Sequence, residues 1–286
     1  PPENLLPGSG STELIYLIPR VLRPRRALLI QPCFGEYAPA LQQAGCQVDL
    51  FNLDPQNNFA FCVSAILAAI NPQTDLVVLA NPGNPSGVGI EPQQLIELAD
   101  RLGNCRLLVD EAFVDFCSQR SLIGEVVERS NLLLLRSLTK FYAIPGLRVG
   151  YLAGSAADIT LLAAAREPWS LSNLAIAAAR ACLTDDAFRT RTLDTIPQLR
   201  SQLQRGLEQL GWQVFAGEAN YLLCRLPDHW VTAPQVAEQL RPQGLLLRSC
   251  CDFTPLDERY LRLAVLGEEQ NLSLLQALGE SEEKPN

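Results

Sequence analysis

The sequence predicts an α/β protein in two parts, a large domain with a mostly parallel sheet and a smaller α+β domain at the C-terminal end. Two observations predict it. From about Ala27 to Gly154, short continuous apolar runs alternate with helical patterns, whereas after Gly211 short strand candidates are accompanied by only two helices. Apolar runs without polar alternation suit strands covered on both faces, which is the usual situation of parallel strands.

In chain order, Gly8-Ser-Gly10 followed by Ser11-Thr-Glu-Leu-Ile-Tyr16 reads as a turn entering a helix, with Ser11 or Thr12 as its cap. Strands are expected at Ala27–Ile30, Gln47–Phe51, Leu76–Ala80, Arg106–Asp110, Leu132–Leu135 and Val149–Ala153. Helices are expected at Tyr37–Ala44, Val63–Ile70 and Pro92–Leu102, the last with proline in its first turn. From Asp158 to about Leu210 the text is helical, with interruptions expected at Pro168 and Pro197. Strands Gln213–Ala216, Tyr221–Arg225, Leu245–Arg248 and Tyr260–Val265 then join helices Pro234–Leu240 and Glu268–Leu278. The expected division is a large domain at 1–157, a helical connection at 158–200 and a small domain at 201–286.

The 286 residues are 48% hydrophobic and carry a formal net charge of −8. An acidic chain disfavours nucleic acid or an anionic membrane as partner, and no apolar run reaches the roughly 20 residues of a membrane span. Nine scattered cysteines without a C-x-x-C pair fit reduced thiols, and a cytoplasmic location is expected. A single histidine, His229, argues against a His/Cys metal site. The chain opens abruptly at Pro1 and contains no methionine, so missing residues are expected at the N-terminal end and at internal junctions.

Lysine is scarce: 21 arginines stand against two lysines, Lys140 and Lys284. Lys284 falls in the terminal stretch Glu280–Asn286, expected to be a frayed tail. Lys140 is then the one lysine of the folded body, and a retained primary amine points to chemistry that a guanidinium cannot perform, such as condensation with an aldehyde.

Ligands of open α/β sheets bind at the carboxyl ends of the strands. Those ends here read Asn81-Pro-Gly-Asn84-Pro-Ser-Gly87, Asp110-Glu-Ala-Phe113 and Arg136-Ser-Leu-Thr-Lys140, with Gly146-Leu-Arg148 before the last strand. Pyridoxal 5'-phosphate needs this set. Lys140 supplies the amine for its aldehyde, Asp110 the anion beside its pyridine nitrogen, and Asn84 a donor to its ring oxygen. Ser137, Thr139 and Arg148, with the amides of Ser11 and Thr12 at a helix start, can hold its phosphate. Phe34 is placed to stack on the ring.

N-P-x-N-P-x-G, D-E-A-F and S-x-T-K followed by G-L-R-x-G-Y, in this order and spacing, resemble the cofactor motifs of class I/II aminotransferases. The resemblance runs from about Pro2 to Leu278 and implies the fold-type-I architecture of pyridoxal-phosphate-dependent transferases, with a homodimer. Within the superfamily the chain is similar to two groups, the threonine-phosphate decarboxylases of cobalamin synthesis and the histidinol-phosphate aminotransferases. Pro168-Trp-Ser170, Ala219-Asn-Tyr-Leu222, Arg248-Ser-Cys250 and Leu256–Arg262 favour the decarboxylases. By position, Arg262 would bind the substrate carboxylate, Arg248 would assist at the carboxylate or at a substrate phosphate, and Asn84 would also touch the carboxylate. Phe113 stands where many aminotransferases have tyrosine, and Leu266 where an arginine is common.

The implied reaction is decarboxylation of L-threonine O-3-phosphate, with transamination of a phosphorylated amino acid or a catalytically silent module as alternatives. Taken singly, the residues admit plainer readings. Lys140, Arg148 and Arg262 could be surface charges, Asp110 a helix cap and Phe34 core, while Trp169 could line the pocket or pack in the core. Arg23-Pro-Arg25-Arg26 reads as a solvated turn and His229 as a loop residue.

Overall fold

The computed structural model describes residues 1–282. The first part of the chain runs β1 (Leu5–Gly8), α1 (Gly10–Leu22), β2 (Arg26–Gln31), α2 (Tyr37–Gln43), β3 (Gln47–Asn52), α3 (Val63–Ala69) and β4 (Leu76–Ala80). It continues with α4 (Pro92–Arg101), β5 (Arg106–Asp110), β6 (Leu132–Ser137), the single turn α5 (Leu138–Phe141) and β7 (Gly150–Ala153). These strands form one seven-stranded sheet in the order β1-β7-β6-β5-β4-β2-β3. The pairs among β6, β5, β4, β2 and β3 are parallel, while β7 lies antiparallel to both β6 and β1.

Alternate residues of these apolar strands feed two separate cores, which is why the runs read as continuous. Leu29, Val78, Leu108 and Leu133 pack on one face with Leu14, Ile18, Leu41 and Leu162 of the helical layer. Leu28, Val77, Leu107 and Leu134 pack on the other with Ile66, Leu95 and Leu98. Each such side chain, removed from water, contributes roughly 1.5–3 kcal/mol. The four parallel strands β2, β4, β5 and β6 therefore end, as a rigid rim, on one edge of the sheet.

The chain then enters α6 (Ala156–Ala165), α7 (Asn173–Leu183) and α8 (Asp186–Gln209). A second sheet of order β10-β11-β9-β8 follows, from β8 (Gln213–Val214), β9 (Tyr221–Arg225), β10 (Arg248–Ser249) and β11 (Tyr260–Ala264), with α9 (Ala233–Leu240) and α10 (Glu268–Glu282). Its core joins Leu207, Trp212, Leu222, Val236, Leu261 and Leu278. Among the described residues no helix is long and apolar enough to cross a membrane.

Several local expectations are corrected. Strand β1 is absent from the sequence reading because Pro7 and Gly8 disfavour strand; Pro7 is tolerated since β1 is a sheet edge paired only with β7. The cap of α1 is Ser9 rather than Ser11 or Thr12, which lie in its first turn. Pro197 does not interrupt α8, a 24-residue helix that tolerates the one lost bond to the Leu193 carbonyl. The Leu245–Arg248 strand begins only at Arg248: the chain leaves a turn at Gly244 (φ +78°), Leu246 is exposed, and the ladder starts where Arg248 meets Arg262. Helix α10 continues to Glu282 where a frayed tail was expected, and Lys284 lies outside the described residues.

Candidate active site

The rim at the ends of β2, β4, β5 and β6 bounds a cavity of about 330 Å³, a size suited to a small ligand. Ten of the eleven candidate residues line it: Ser11, Thr12, Phe34, Asn84, Asp110, Thr139, Lys140, Arg148, Arg248 and Arg262. Ser137 does not reach the wall. It is buried, and its hydroxyl lies 2.7 Å from that of Thr139, so its bearing on the cavity is through Thr139.

One end of the cavity is an anion cradle. The first-turn N–H groups of α1 have no intrahelical partner and lie on the positive end of the helix dipole. Arg148 stands over this turn, and Gly10 is what lets it approach: a Cβ there would collide with Arg148 Nη2, and its φ of +76° is strained for other residues. Gly150 lets β7 lie against the β6 backbone and the start of α1, since a Cβ would lie 2.6 Å from the Arg136 carbonyl and 3.0 Å from the Ser11 nitrogen. The second glycine of G-L-R-x-G-Y is thus a packing requirement at the cradle.

Asp110 closes β5 almost fully buried. Oδ1 accepts the Ala112 N–H at 2.9 Å and Oδ2 accepts the Tyr37 hydroxyl at 2.8 Å. Desolvation raises the Asp110 pKa above the ordinary carboxylate value, against the opposing pull of Tyr37, Ala112 and Lys140. A cation placed beside it, such as a protonated pyridine nitrogen, would supply the missing partner. Asp110 ties down the turn at Ala112 and is not a helix cap, since Phe113 takes that position before the next helical turn, and it also lines the cavity. Of Pro32-Cys-Phe-Gly-Glu-Tyr37 the sequence reading names only Phe34; Tyr37 joins the site through its bond to Asp110, 73 residues away.

Lys140 opens into the same space from α5. Desolvation lowers its pKa first, the Arg262 and Arg148 charges lower it further, and Asp110 opposes them. Its Nζ lies 5.7 Å from the centre of the Phe113 ring. A lowered pKa enlarges the neutral, nucleophilic fraction of the amine.

Across the cavity stand the arginines of the second sheet, cross-strand neighbours through the Arg248–Arg262 pairing. Arg262 Nη1 donates to Asn84 Oδ1 at 2.6 Å, which leaves the Asn84 amide N–H₂ as the group able to donate elsewhere. Arg248 donates to Asp252 at 2.7 Å and to its neighbour's carbonyl, Ser249, also at 2.7 Å. Asp252 and Glu36, both cavity-lining, were not anticipated; Glu36 accepts the Tyr16 hydroxyl at 2.7 Å.

Phe34 is 36% exposed and faces the cavity, so the core reading of it is set aside. Trp169 is 96% exposed and forms neither pocket wall nor core. Leu266 lies in the turn before α10, 53% exposed, its N–H held by Asn271 Oδ1 at 3.1 Å. Arg25, in the turn before β2, pairs with Asp75, and Arg26, the first residue of β2, pairs with Asp49.

The residues fit pyridoxal phosphate: a cradle that a Cβ would fill at one end, a buried carboxylate at the floor and an amine of lowered pKa between them. Asp110→Asn is expected to reduce turnover roughly 10- to 100-fold, from loss of a charge-assisted bond of about 1.5–3 kcal/mol. Cofactor occupancy should change far less, because the cradle is untouched. Absorbance of the bound cofactor and steady-state rates check this, and equal small losses in both would make Asp110 merely structural.

Comparison with known proteins agrees with the geometry. The profile of aminotransferase class I and II matches residues 1–278. A threonine-phosphate decarboxylase from Salmonella typhimurium is 38% identical over 285 residues, covering 97% of this chain and 77% of that protein. A histidinol-phosphate aminotransferase structure from Clostridium acetobutylicum matches at TM-score 0.91 and 29% identity, covering 98% of this chain and 84% of that one. The L-threonine-O-3-phosphate decarboxylase structure from Porphyromonas gingivalis matches at TM-score 0.87 and 26% identity, covering 99% and 84%.

Proposed function

We propose that this chain, which belongs to the aminotransferase class I and II family, decarboxylates L-threonine O-3-phosphate to the aminopropanol phosphate used in the cobalamin side chain. It is a pyridoxal-phosphate-dependent enzyme. The observation that carries the reading is the 38% identity to a threonine-phosphate decarboxylase across nearly the whole chain. The structural likeness to a histidinol-phosphate aminotransferase, TM-score 0.91, favours transamination of a phosphorylated amino acid as the second reading.

When bound, pyridoxal phosphate supplies an aldehyde that captures the substrate amine and a ring that accepts the electron pair released at Cα. Lys140 provides the amine that holds it and that the substrate amine displaces. The α1 N-terminus, Thr139 and Arg148 would hold its phosphate, Asp110 its ring nitrogen, and the Asn84 amide its ring oxygen. Arg262 binds the substrate carboxylate and turns the bond to Cα perpendicular to the ring plane. Lys140 Nζ, freed when the substrate amine displaces it and carrying the proton given up by the substrate ammonium, would return this proton to Cα once CO₂ has left, and its lowered pKa favours the transfer.

The two readings separate in one assay. Purified protein given L-threonine O-3-phosphate with no oxo acid is expected to release many equivalents of CO₂ per active site. An aminotransferase would instead stop after one equivalent of oxo acid, its cofactor left in the pyridoxamine form. Run across a dilution series, the same assay reads the homodimer that we also propose, since specific activity should fall as dimer dissociates. A fully active monomer in sedimentation would refute that part.

A further inference from the structure

Tyr221 opens β9 within Ala219-Asn-Tyr-Leu222, a segment that marks the resemblance but has no assigned role. Its side chain is 4% exposed, and each part of it has a separate contact. The hydroxyl donates to the Gly83 carbonyl at 2.7 Å. The ring meets Phe113 edge-on, centroids 4.9 Å apart and planes at 85°. The Arg262 guanidinium lies 5.2 Å from the ring centre. Arg262 in turn donates to Asn84, the residue that follows Gly83.

These contacts close a circuit. It runs from β11 through Arg262 to Asn84, back one residue to Gly83, through the Tyr221 hydroxyl to β9, and across the β9–β11 ladder, where Leu223 faces Arg262. The Asn81–Gly89 loop in the circuit has little freedom. The Gly83 carbonyl also accepts the Gly87 N–H at 2.7 Å, and the Gly83 N–H donates to Val88 at 2.9 Å. From the second sheet's side, the Glu218 N–H donates to the Gly87 carbonyl at 2.8 Å, and Arg120 pairs with the Glu218 carboxylate at 2.9 Å. A Cβ on Gly87 would lie 3.1 Å from the Gly217 Cα, so the two backbones touch. Desolvation pushes the Tyr221 pKa well above its ordinary value, and the hydroxyl therefore remains a donor at any working pH.

We propose that Tyr221 is a positioning residue that fixes Arg262 against Asn84 and so sets the angle at which the substrate carboxylate is held. The proposal rests on the reading of Arg262 as the carboxylate anchor. Its specific consequence is for reaction choice. The bond that breaks at Cα is the one perpendicular to the cofactor ring. A carboxylate free to swing therefore lets Cα–H take that place. Lys140 would then take the Cα proton in place of CO₂ loss and pass it to the cofactor's former aldehyde carbon, and one water would hydrolyse the C=N bond, releasing the oxo acid and leaving the amino group on the cofactor.

Tyr221→Phe removes the hydroxyl and keeps both ring contacts. In the holoenzyme it should weaken binding of succinate, an unreactive carboxylate, about fivefold by calorimetry, the effect of one neutral hydrogen bond. With L-threonine O-3-phosphate, the ratio of CO₂ released to pyridoxamine form produced should fall by a similar factor. Tyr221→Leu, which also loses the ring, should fall further on both measures. A Tyr221→Phe protein with lowered thermal stability but wild-type succinate affinity and product ratio would overturn the proposal, because the hydroxyl would then only hold the fold together. If the wild type itself accumulates the pyridoxamine form without CO₂, the decarboxylase reading fails, and succinate affinity still decides whether Tyr221 positions Arg262.

Discussion

Lys140→Arg protein is expected to be colourless, to retain no cofactor covalently after borohydride treatment, and to turn over at least roughly 10²–10⁴-fold more slowly. Arginine preserves the charge and nearly the length of the side chain, so a role in electrostatics alone would survive the change. The guanidinium keeps its proton throughout the accessible pH range and cannot condense with an aldehyde. Lys140 is suited to condensation with an aldehyde because desolvation and the Arg262 and Arg148 charges lower its pKa. The chain contains only two lysines, so peptide mapping of the borohydride-reduced wild type gives an unambiguous answer. Label on the Lys140 peptide is the expected result. A Lys140→Arg enzyme of normal turnover would remove the basis for every role assigned in the cavity.

Why was so much of this cavity legible in the sequence? Asp110, Asn84, Thr139 and Lys140 sit at or just past the ends of apolar runs, and in a parallel sheet those ends converge on one rim. The placement of the apolar runs therefore brought them together. The phosphate cradle was half legible: Arg148 and the helix start could be named, but the need for glycine at 10 and 150 appears only when α1, β7 and the guanidinium are packed together. Tyr37 and Tyr221 were invisible as functional residues because their partners, Asp110 and Gly83, lie 73 and 138 residues away. In the second sheet, Tyr221–Arg225 and the strand carrying Arg262 were legible, whereas β8 and β10 have only two residues each and Leu245–Leu247 carries strand composition without a ladder. The site roles of Arg248 and Arg262 came from resemblance, not from pattern.

Arg262→Ala should lower kcat/KM for L-threonine O-3-phosphate by roughly 30- to 4,000-fold, the range of about 2–5 kcal/mol for truncating one partner of a desolvated charge pair. Arg262 is held firmly enough to act as an anchor. It lies on β11, paired on both edges, with its guanidinium against the Tyr221 ring and its Nη1 on Asn84. The partition of the loss between kcat and KM distinguishes two roles. A group that only captures the carboxylate contributes equally to ground and transition states, and its removal raises KM while leaving kcat near its original value. A group that also turns the Cα–carboxylate bond perpendicular to the ring acts in the bond-breaking step, so kcat must fall and the pyridoxamine form must begin to accumulate. Arg262→Lys tests the geometry separately: it retains a cation but loses the planar fork, and should recover binding more than kcat. Unchanged kinetics in Arg262→Ala would place the carboxylate on Arg248 instead. That outcome would require Asp252, which now accepts the Arg248 guanidinium at 2.7 Å, to yield its place to the substrate.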